Sequence, residues 1–227
     1  MEQILRNVNI WDLHIHTPVG TPTKKNYEND STEKFIDTII DIYNKSINKI
    51  GMISFTDHNK INADAYELFM KKSDIAIIPG IEVDIYLSEK DQNSKHIIFY
   101  FEEKELINIR QLKDLIEKYI NTNTKVIFED FIMHLVVNHK HFAVSPHAFK
   151  QGKRGIDYDW FDEEKANRGT NEFTGLIFPF WEAAGKTDIC KAIEFLNEQY
   201  NDEDNNQGVI AFSDSADYGK LKDYINN

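Results

Sequence analysis

Short apolar runs alternate along the chain with segments whose apolar residues recur every three or four positions. Such runs predict strands, and the recurring spacing predicts amphipathic helices. In the first predicted helix, Ile36, Ile39 and Tyr43 share a face, and Asp30 followed by Glu33 offers a start signal. Strands are expected at residues 7–17, 50–59, 75–87, 96–101, 141–149, 175–183 and 208–215, and helices at 31–48, 62–72, 105–120, 126–140 and 187–200.

This alternation of strands and helices predicts an α/β fold with parallel strands. About seven strands, several of them ending in histidine or an acid, favour a (β/α) barrel. In such a barrel the functional site lies at the carboxyl ends of the strands. A chain of 227 residues is long enough for one large domain or at most two small ones, and residues 1–227 are predicted to form a single domain.

The first predicted strand carries the clearest chemical signal, in the sequence "DLHIHT". Because strand residues two apart share a face, Asp12, His14 and His16 are expected on one side of the strand. Two neighbouring imidazoles suit a metal ion, which either ring nitrogen can bind. Asp12 is a candidate to orient one of the ligand histidines. The alternative is that these are ordinary polar residues on a solvated strand face.

The same type of residue recurs at the ends of other apolar runs. Buried imidazoles and carboxylates are costly unless they are paired, hydrogen-bonded or bound to metal. Six strands that each deliver such a group to one end therefore predict a metal site. These further candidates are Asp57, His58, Glu82, His96, His147 and Asp214.

In order and spacing, the motifs "DLHIHT", "TDHN", "PGIE", "SPH" and "FSDS" resemble those of the PHP (polymerase and histidinol phosphatase) family. The resemblance runs from Asp12 to Asp214. It implies a distorted seven-stranded (β/α) barrel that holds two or three divalent metal ions and hydrolyses phosphoesters. It also implies a set of catalytic residues, which are His14, His16, Asp57, His58, Glu82 and Asp214.

The resemblance further implies how the metal ions are shared. One ion would be held by His14, His16, Glu82 and Asp214. Glu82 would bridge to a second ion held by His96 and His147, and His58 would contribute to a third.

The chain departs from the family pattern at the third ion. Ala216 stands where the family has a histidine, and "PVGTPTKKN" holds no acid or histidine. Two ions are therefore expected, with the third site weak or empty. Imidazole and carboxylate ligands favour Mn, Zn or Fe as the metal.

Charge bears on the substrate and on the partners. The chain has 38 acidic and 26 basic residues, a formal net charge of −12, so a nucleic-acid substrate needs a local basic patch, bound metal or a partner. Lys150, Lys153 and Arg154 form the clearest one and are the candidate substrate-binding residues. The single cysteine excludes a thiolate metal cluster. With no signal-like or membrane-spanning apolar segment, a cytoplasmic protein without membrane contact is expected.

These observations predict a metal-dependent phosphoesterase that hydrolyses phosphodiesters, with nucleic acid preferred as substrate. The resemblance to PHP modules that are fused or bound to larger ATPases adds an ATPase domain or subunit as a possible partner. Two alternatives stay open: a phosphomonoesterase for small molecules, and a metal-binding scaffold that has lost turnover. Amidohydrolases also begin with H-x-H on a barrel strand, but they would not predict "TDHN" or "PGIE".

Overall fold

The computed structural model describes residues 9–19, 30–86, 88–138, 140–148, 180–183, 208–210 and 217–226. The helix predicted at 187–200 lies outside these residues, as do parts of the last two predicted strands. The strands are β1 (Asn9–Ile15), β2 (Lys49–Phe55), β3 (Ala76–Ile77), β4 (Gly80–Tyr86), β5 (Lys95–Phe101), β6 (Val126–Ile127), β7 (Phe142–Ala148), β8 (Phe180–Ala183) and β9 (Gly208–Ile210). The helices are α1 (Thr32–Lys45), α2 (Ala63–Lys72), α3 (Leu106–Thr122), α4 (Phe128–Val137) and α5 (Tyr218–Asn226).

The strands form two sheets. One has three strands in the order β1-β2-β3, and the other has six in the order β6-β4-β5-β7-β8-β9. The pairs β1–β2, β2–β3, β4–β6, β7–β8 and β8–β9 are all parallel, as the α/β pattern predicts. The prediction of a distorted seven-stranded barrel is wrong, because the strands of the described residues form two sheets and not one closed sheet. Hydrophobic periodicity identifies strands, but it does not determine which strands pair.

Backbone contacts divide the chain into two compact units. Unit 1 comprises Met1–Glu82, Tyr100–Asn123 and Phe212–Asn227, and unit 2 comprises Val83–Phe99 and Thr124–Ala211. The single domain expected from the length of the chain stays a prediction, because a compact unit is not by itself an independently folding domain.

Helix α1 forms where its apolar spacing predicts it. Phe35, Ile36 and Ile39 are buried, while the opposite face carries charged residues. The N-cap is Ser31, whose Oγ accepts a hydrogen bond from the Lys34 amide, rather than the predicted Asp30. Ser31 has the extended backbone that a capping residue needs, so its hydroxyl reaches the first turn.

The core of unit 1 lies between its three-stranded sheet and the helices. Aromatic rings pack there edge to face, with the Phe55 ring contacting both Tyr66 and Phe69. Helix α5, which the sequence analysis did not predict, buries Leu221 and Ile225. These contacts make the strand ends of unit 1 a rigid base for polar side chains.

The core of unit 2 is built around β5 and α4. The Phe99 ring packs edge to face against Phe131 of α4 and also contacts Phe142 of β7. Within the ranges given above, no helix has both the length and the apolar surface that crossing a membrane requires.

Candidate metal centre

Three imidazoles and one carboxylate meet in unit 1, and we call them the Glu82 cluster (His14, His16, His58 and Glu82). His14 lies in β1, and His16 directly follows that strand. His58 lies in the turn after β2, and Glu82 is the third residue of β4. The end of β1, the turn after β2 and the first half of β4 thus position the four side chains.

The imidazoles surround one carboxylate oxygen, Glu82 Oε2. His58 Nε2 lies 3.0 Å from this oxygen, His16 Nε2 3.5 Å and His14 Nε2 3.7 Å. The Nε2 atoms of His14 and His16 are 3.2 Å apart, and the His16 ring stacks on that of His58. The side chain of Glu82 is only 1% exposed and that of His58 is 15% exposed, so His58 is on the more open side of the cluster.

Three members of the Glu82 cluster form a ligand set that can hold a metal ion: His14, His16 and Glu82. Ligand atoms of a tetrahedral site lie about 2.0–2.2 Å from the ion, which places them about 3.3–3.6 Å from one another. The three distances between the ligand atoms of this set, 3.2, 3.5 and 3.7 Å, span that range. Donor types and spacing therefore both fit a metal ion.

Burial decides between the two interpretations of the histidine pair. Asp12 and His14 are fully buried, and His16 is 4% exposed. The solvated strand face considered for these residues is therefore excluded. The β1–β2 register is irregular between Asp12 and Ile15, yet both imidazoles reach Glu82, in line with the spacing of residues two apart.

A short backbone pairing aligns His58 with Glu82. The Glu82 amide donates to the Asp57 carbonyl, and the Asn59 amide donates to the Glu82 carbonyl. Residues 58 and 82 thereby form an isolated parallel bridge. Asn59 takes up the positive φ of 56° that this turn requires, a conformation that asparagine tolerates better than most residues.

Asp57 faces the segment that follows β1. Its Oδ1 accepts a 2.6 Å hydrogen bond from the Thr17 amide, and its Oδ2 accepts one of 2.6 Å from the Thr17 hydroxyl. Asn62 Nδ2 donates to Thr17 Oγ1, while Asn62 Oδ1 caps α2. Burial raises the pKa of Asp57 to about 6, and the Thr17 hydrogen bonds oppose this rise. Asp57 thus holds the turns that carry His16 and His58 together.

Tyr66 and Gly80 hold β4 close to the end of β2. The Tyr66 hydroxyl donates to the Phe55 carbonyl and accepts from the amides of Phe55 and Gly80. A Cβ atom on Gly80 would lie 2.4 Å from Ser54 Oγ and 2.7 Å from Thr56 Cγ2. Only a glycine lets β4 approach this closely, and Glu82 follows two residues later.

His96 lies in unit 2, where it pairs with an acid that was not a predicted candidate. His96 Nε2 is 3.1 Å from Asp84 Oδ1, and the Ser94 hydroxyl donates to the same oxygen at 3.3 Å. We call these two residues the Asp84 pair (Asp84 and His96). The His96 side chain is 8% exposed and that of Asp84 is 33% exposed. The role of His96 as a ligand of a second ion stays a prediction.

Of the remaining predicted site residues, the structure describes only the backbone position of His147. His147 lies in β7, where the backbone register pairs it with Glu182 of β8. Asp214 and the basic residues Lys150, Lys153 and Arg154 lie outside the described residues. Their roles as ligand and substrate contacts stay predictions.

Sequence reasoning missed the residues that support the Glu82 cluster. Asn62 and Tyr66 lie outside the quoted motifs, and Thr17, the last residue of "DLHIHT", was not a candidate. Their partners are 11 to 45 residues away along the chain. Gly80 stands inside the quoted motif "PGIE", and a glycine within a strand indicates a close backbone approach. That signal was available before the structure.

No protein-family model matches this chain, and no curated protein gives a significant match. The assignment of function therefore depends on the geometry described above and on the motifs of the sequence.

Proposed function

We propose that this chain is a metal-dependent phosphoesterase of the PHP type that hydrolyses phosphodiesters, with nucleic acid as the preferred substrate class. The observation that carries the proposal is the Glu82 cluster, in which one buried carboxylate oxygen has three imidazole nitrogens within 3.7 Å. The five motifs quoted above support the choice of phosphoester chemistry over other uses of such a site.

The ligand types favour Mn, Zn or Fe, because imidazole and carboxylate suit these metals and no thiolate takes part. His14, His16 and Glu82 would hold the first ion. The resemblance assigns His96 and His147 to a second ion and Asp214 to the first. Divalent ions, when bound, activate water and neutralise phosphoryl oxygens.

The protein's own contribution is to position and shield the reacting groups. Glu82 places negative charge between the imidazoles and keeps their Nε2 atoms directed inwards. The pairing of Asp57 with Thr17 fixes the two turns that carry His16 and His58. His58, the most exposed imidazole of the cluster, lies where a substrate would enter.

A net charge of −12 makes weak, salt-sensitive binding of nucleic acid the expectation for the isolated chain. The basic residues Lys150, Lys153 and Arg154 would supply a local contact. A partner would supply another, and the resemblance implies an ATPase domain or subunit as that partner.

The test measures metal content and turnover in the same preparation. The purified protein is loaded with Mn or Zn and assayed with p-nitrophenyl phosphate, bis-p-nitrophenyl phosphate and labelled single-stranded DNA. We expect cleavage of the diester and of DNA, with loss of both metal and turnover in His14→Ala. His141→Ala is the matched control, because His141 is an exposed histidine outside the cluster.

The outcomes separate the candidate functions. An unchanged rate in His14→Ala would overturn the proposal. Cleavage of the monoester alone would indicate a small-molecule phosphomonoesterase. Bound metal without turnover on any substrate would indicate a metal-binding scaffold, which Ala216 in place of the family histidine favours as the second candidate.

A further inference from the structure

A cavity of about 490 Å³ opens in unit 1. Its lining includes Val19 after β1, Thr32 of α1, residues 60–64 around the start of α2, and the face of α3 that carries Arg110 and Lys113. Cavities of about 300–1,000 Å³ are typical of sites that bind small ligands. The cavity is therefore large enough for one part of a substrate.

The cavity shares its walls with the turns that carry the Glu82 cluster. Lys60 lies two residues after His58, and Val19 lies three residues after His16. Asn62, which lines the cavity, donates a hydrogen bond to Thr17, the partner of Asp57. A group bound at the cluster would thus have this cavity beside it.

Three cations line the cavity, and their partners differ. Arg110 Nη2 lies 2.5 Å from Glu67 Oε2, and Lys113 Nζ lies 3.2 Å from Glu117 Oε2. The Lys60 ammonium instead donates to the neutral backbone carbonyl of Val19. Within the described part of the chain Lys60 forms no ion pair, so its positive charge is available to an anion.

The rest of the lining does not suit a second anion. Apart from Lys60 it carries two cations, Arg110 and Lys113, and three acids, Asp64, Asp114 and Glu117. This surface is slightly negative and rich in hydrogen-bonding groups. It favours an uncharged polar group, such as a sugar or a base, over a further phosphate.

We propose that Lys60 is a substrate-binding residue that contacts a non-bridging phosphate oxygen, while the cavity receives the nucleoside on one side of the phosphodiester. This inference rests on the function proposed above and names the substrate class in more detail. An ammonium group is a strong donor to phosphate, and charge-assisted hydrogen bonds are about twice as strong as neutral ones.

The test compares Lys60→Gln, Lys60→Arg and the control Lys45→Gln in metal-loaded protein. Lys45 is an exposed lysine of α1 that pairs with Asp41, so its substitution changes the net charge equally. Equilibrium dialysis measures binding of inorganic phosphate, and kinetics with bis-p-nitrophenyl phosphate separate KM from kcat. Elemental analysis measures the metal content of each variant.

We expect Lys60→Gln to weaken phosphate binding and to raise KM about tenfold or more, the usual worth of a hydrogen bond to a charged group. Metal content and kcat should change much less, and Lys60→Arg should restore most of the binding. Lys45→Gln should behave as the unmodified protein does.

Equal phosphate binding by Lys60→Gln and the unmodified protein would overturn the inference, as would a loss of metal that parallels the loss of binding. Absence of phosphate binding by the unmodified protein would also overturn it. Lys60-dependent binding without hydrolysis of any ester would preserve the anion site and overturn the proposed phosphoesterase function.

Discussion

The Glu82 cluster and the Asp84 pair, one in each unit, use the same chemical groups in different ways. In the Asp84 pair one carboxylate oxygen faces one imidazole at 3.1 Å and one hydroxyl at 3.3 Å. In the Glu82 cluster one carboxylate oxygen faces three imidazoles, and the Glu82 side chain is 1% exposed against 33% for that of Asp84.

The two groups differ in how many imidazoles surround one carboxylate oxygen, and members of both are candidate metal ligands. The Asp84 side chain is 33% exposed, so water can complete the hydrogen bonds of this pair. Three imidazoles, two of them buried, that share one oxygen at 3.0 to 3.7 Å are better matched by a cation than by protons. The number of donors around one acceptor is therefore more informative than the presence of histidines near acids.

The largest effect is expected from Glu82→Gln, which removes the central charge and preserves the shape of the side chain. Affinity of the tightest site for Zn²⁺ should fall more than about a hundredfold, because even outer partners of metal ligands are worth about 10–100-fold. Equilibrium dialysis with elemental analysis measures this. Asp84→Asn is the matched change in unit 2 and should leave that site unaffected. Equal losses in both variants would contradict the comparison.

The next largest effect is expected from Gly80→Ala. Its new Cβ would collide with Ser54 and Thr56, so overpacking should destabilise the protein by about 2–3 kcal/mol. Urea unfolding of the metal-free protein measures the change. Gly219→Ala, in an exposed turn of α5, should change the free energy of unfolding by less than about 1 kcal/mol. If Gly80→Ala unfolded at the same midpoint as Gly219→Ala, the close approach of β4 would be disproved.

A smaller effect is expected from Thr17→Val, which keeps the shape of the side chain and removes its hydroxyl. The buried Asp57 carboxylate loses one of its two Thr17 hydrogen bonds, at a cost of about 1–2 kcal/mol in the free energy of unfolding. Thermal and urea unfolding measure the loss. The control is Thr122→Val, whose hydroxyl bonds to a backbone carbonyl at the exposed end of α3. Indistinguishable stabilities of the two variants would show that Asp57 does not need Thr17.

The smallest effect is expected from His96→Gln in metal-free protein. The Asp84 pair is partly exposed, and such pairs contribute less than about 1 kcal/mol to stability. Urea unfolding of the metal-free variant measures this change in the free energy of unfolding. A loss of unfolding free energy as large as that from Gly80→Ala would contradict the distinction between the Glu82 cluster and the Asp84 pair.

Hydrophobic spacing was sufficient to locate most helices and strands. Helix α1 is an example, since Ile36, Ile39 and Tyr43 are buried as their spacing predicts. The error concerns how the strands pair into sheets. Strands β3 and β6 contain two residues each, and the strands form sheets of three and six instead of a barrel. Pairing depends on hydrogen bonds between distant segments, which the spacing of apolar residues does not encode.

The candidate site likewise contains residues that local sequence predicts and residues whose roles depend on distant contacts. His14, His16 and Glu82 could be chosen from local motifs, because ligand residues directly end or follow apolar runs. The support from Thr17 to Asp57 spans 40 residues, and the hydroxyl of Tyr66 serves two separate strands. Ordinary residues acquire such roles only through the fold, so the sequence alone does not distinguish them.

The Tyr66 hydroxyl lies at a buried joint between β2 and β4. There it accepts hydrogen bonds from two backbone amides, those of Phe55 and Gly80. Neither amide can exchange its hydrogen with water until the ring leaves its place, so both should be among the slowest to take up deuterium. The joint is made entirely of protein atoms and needs no ion. The start of β4, and with it Glu82, is therefore held against the end of β2 whether or not an ion is bound.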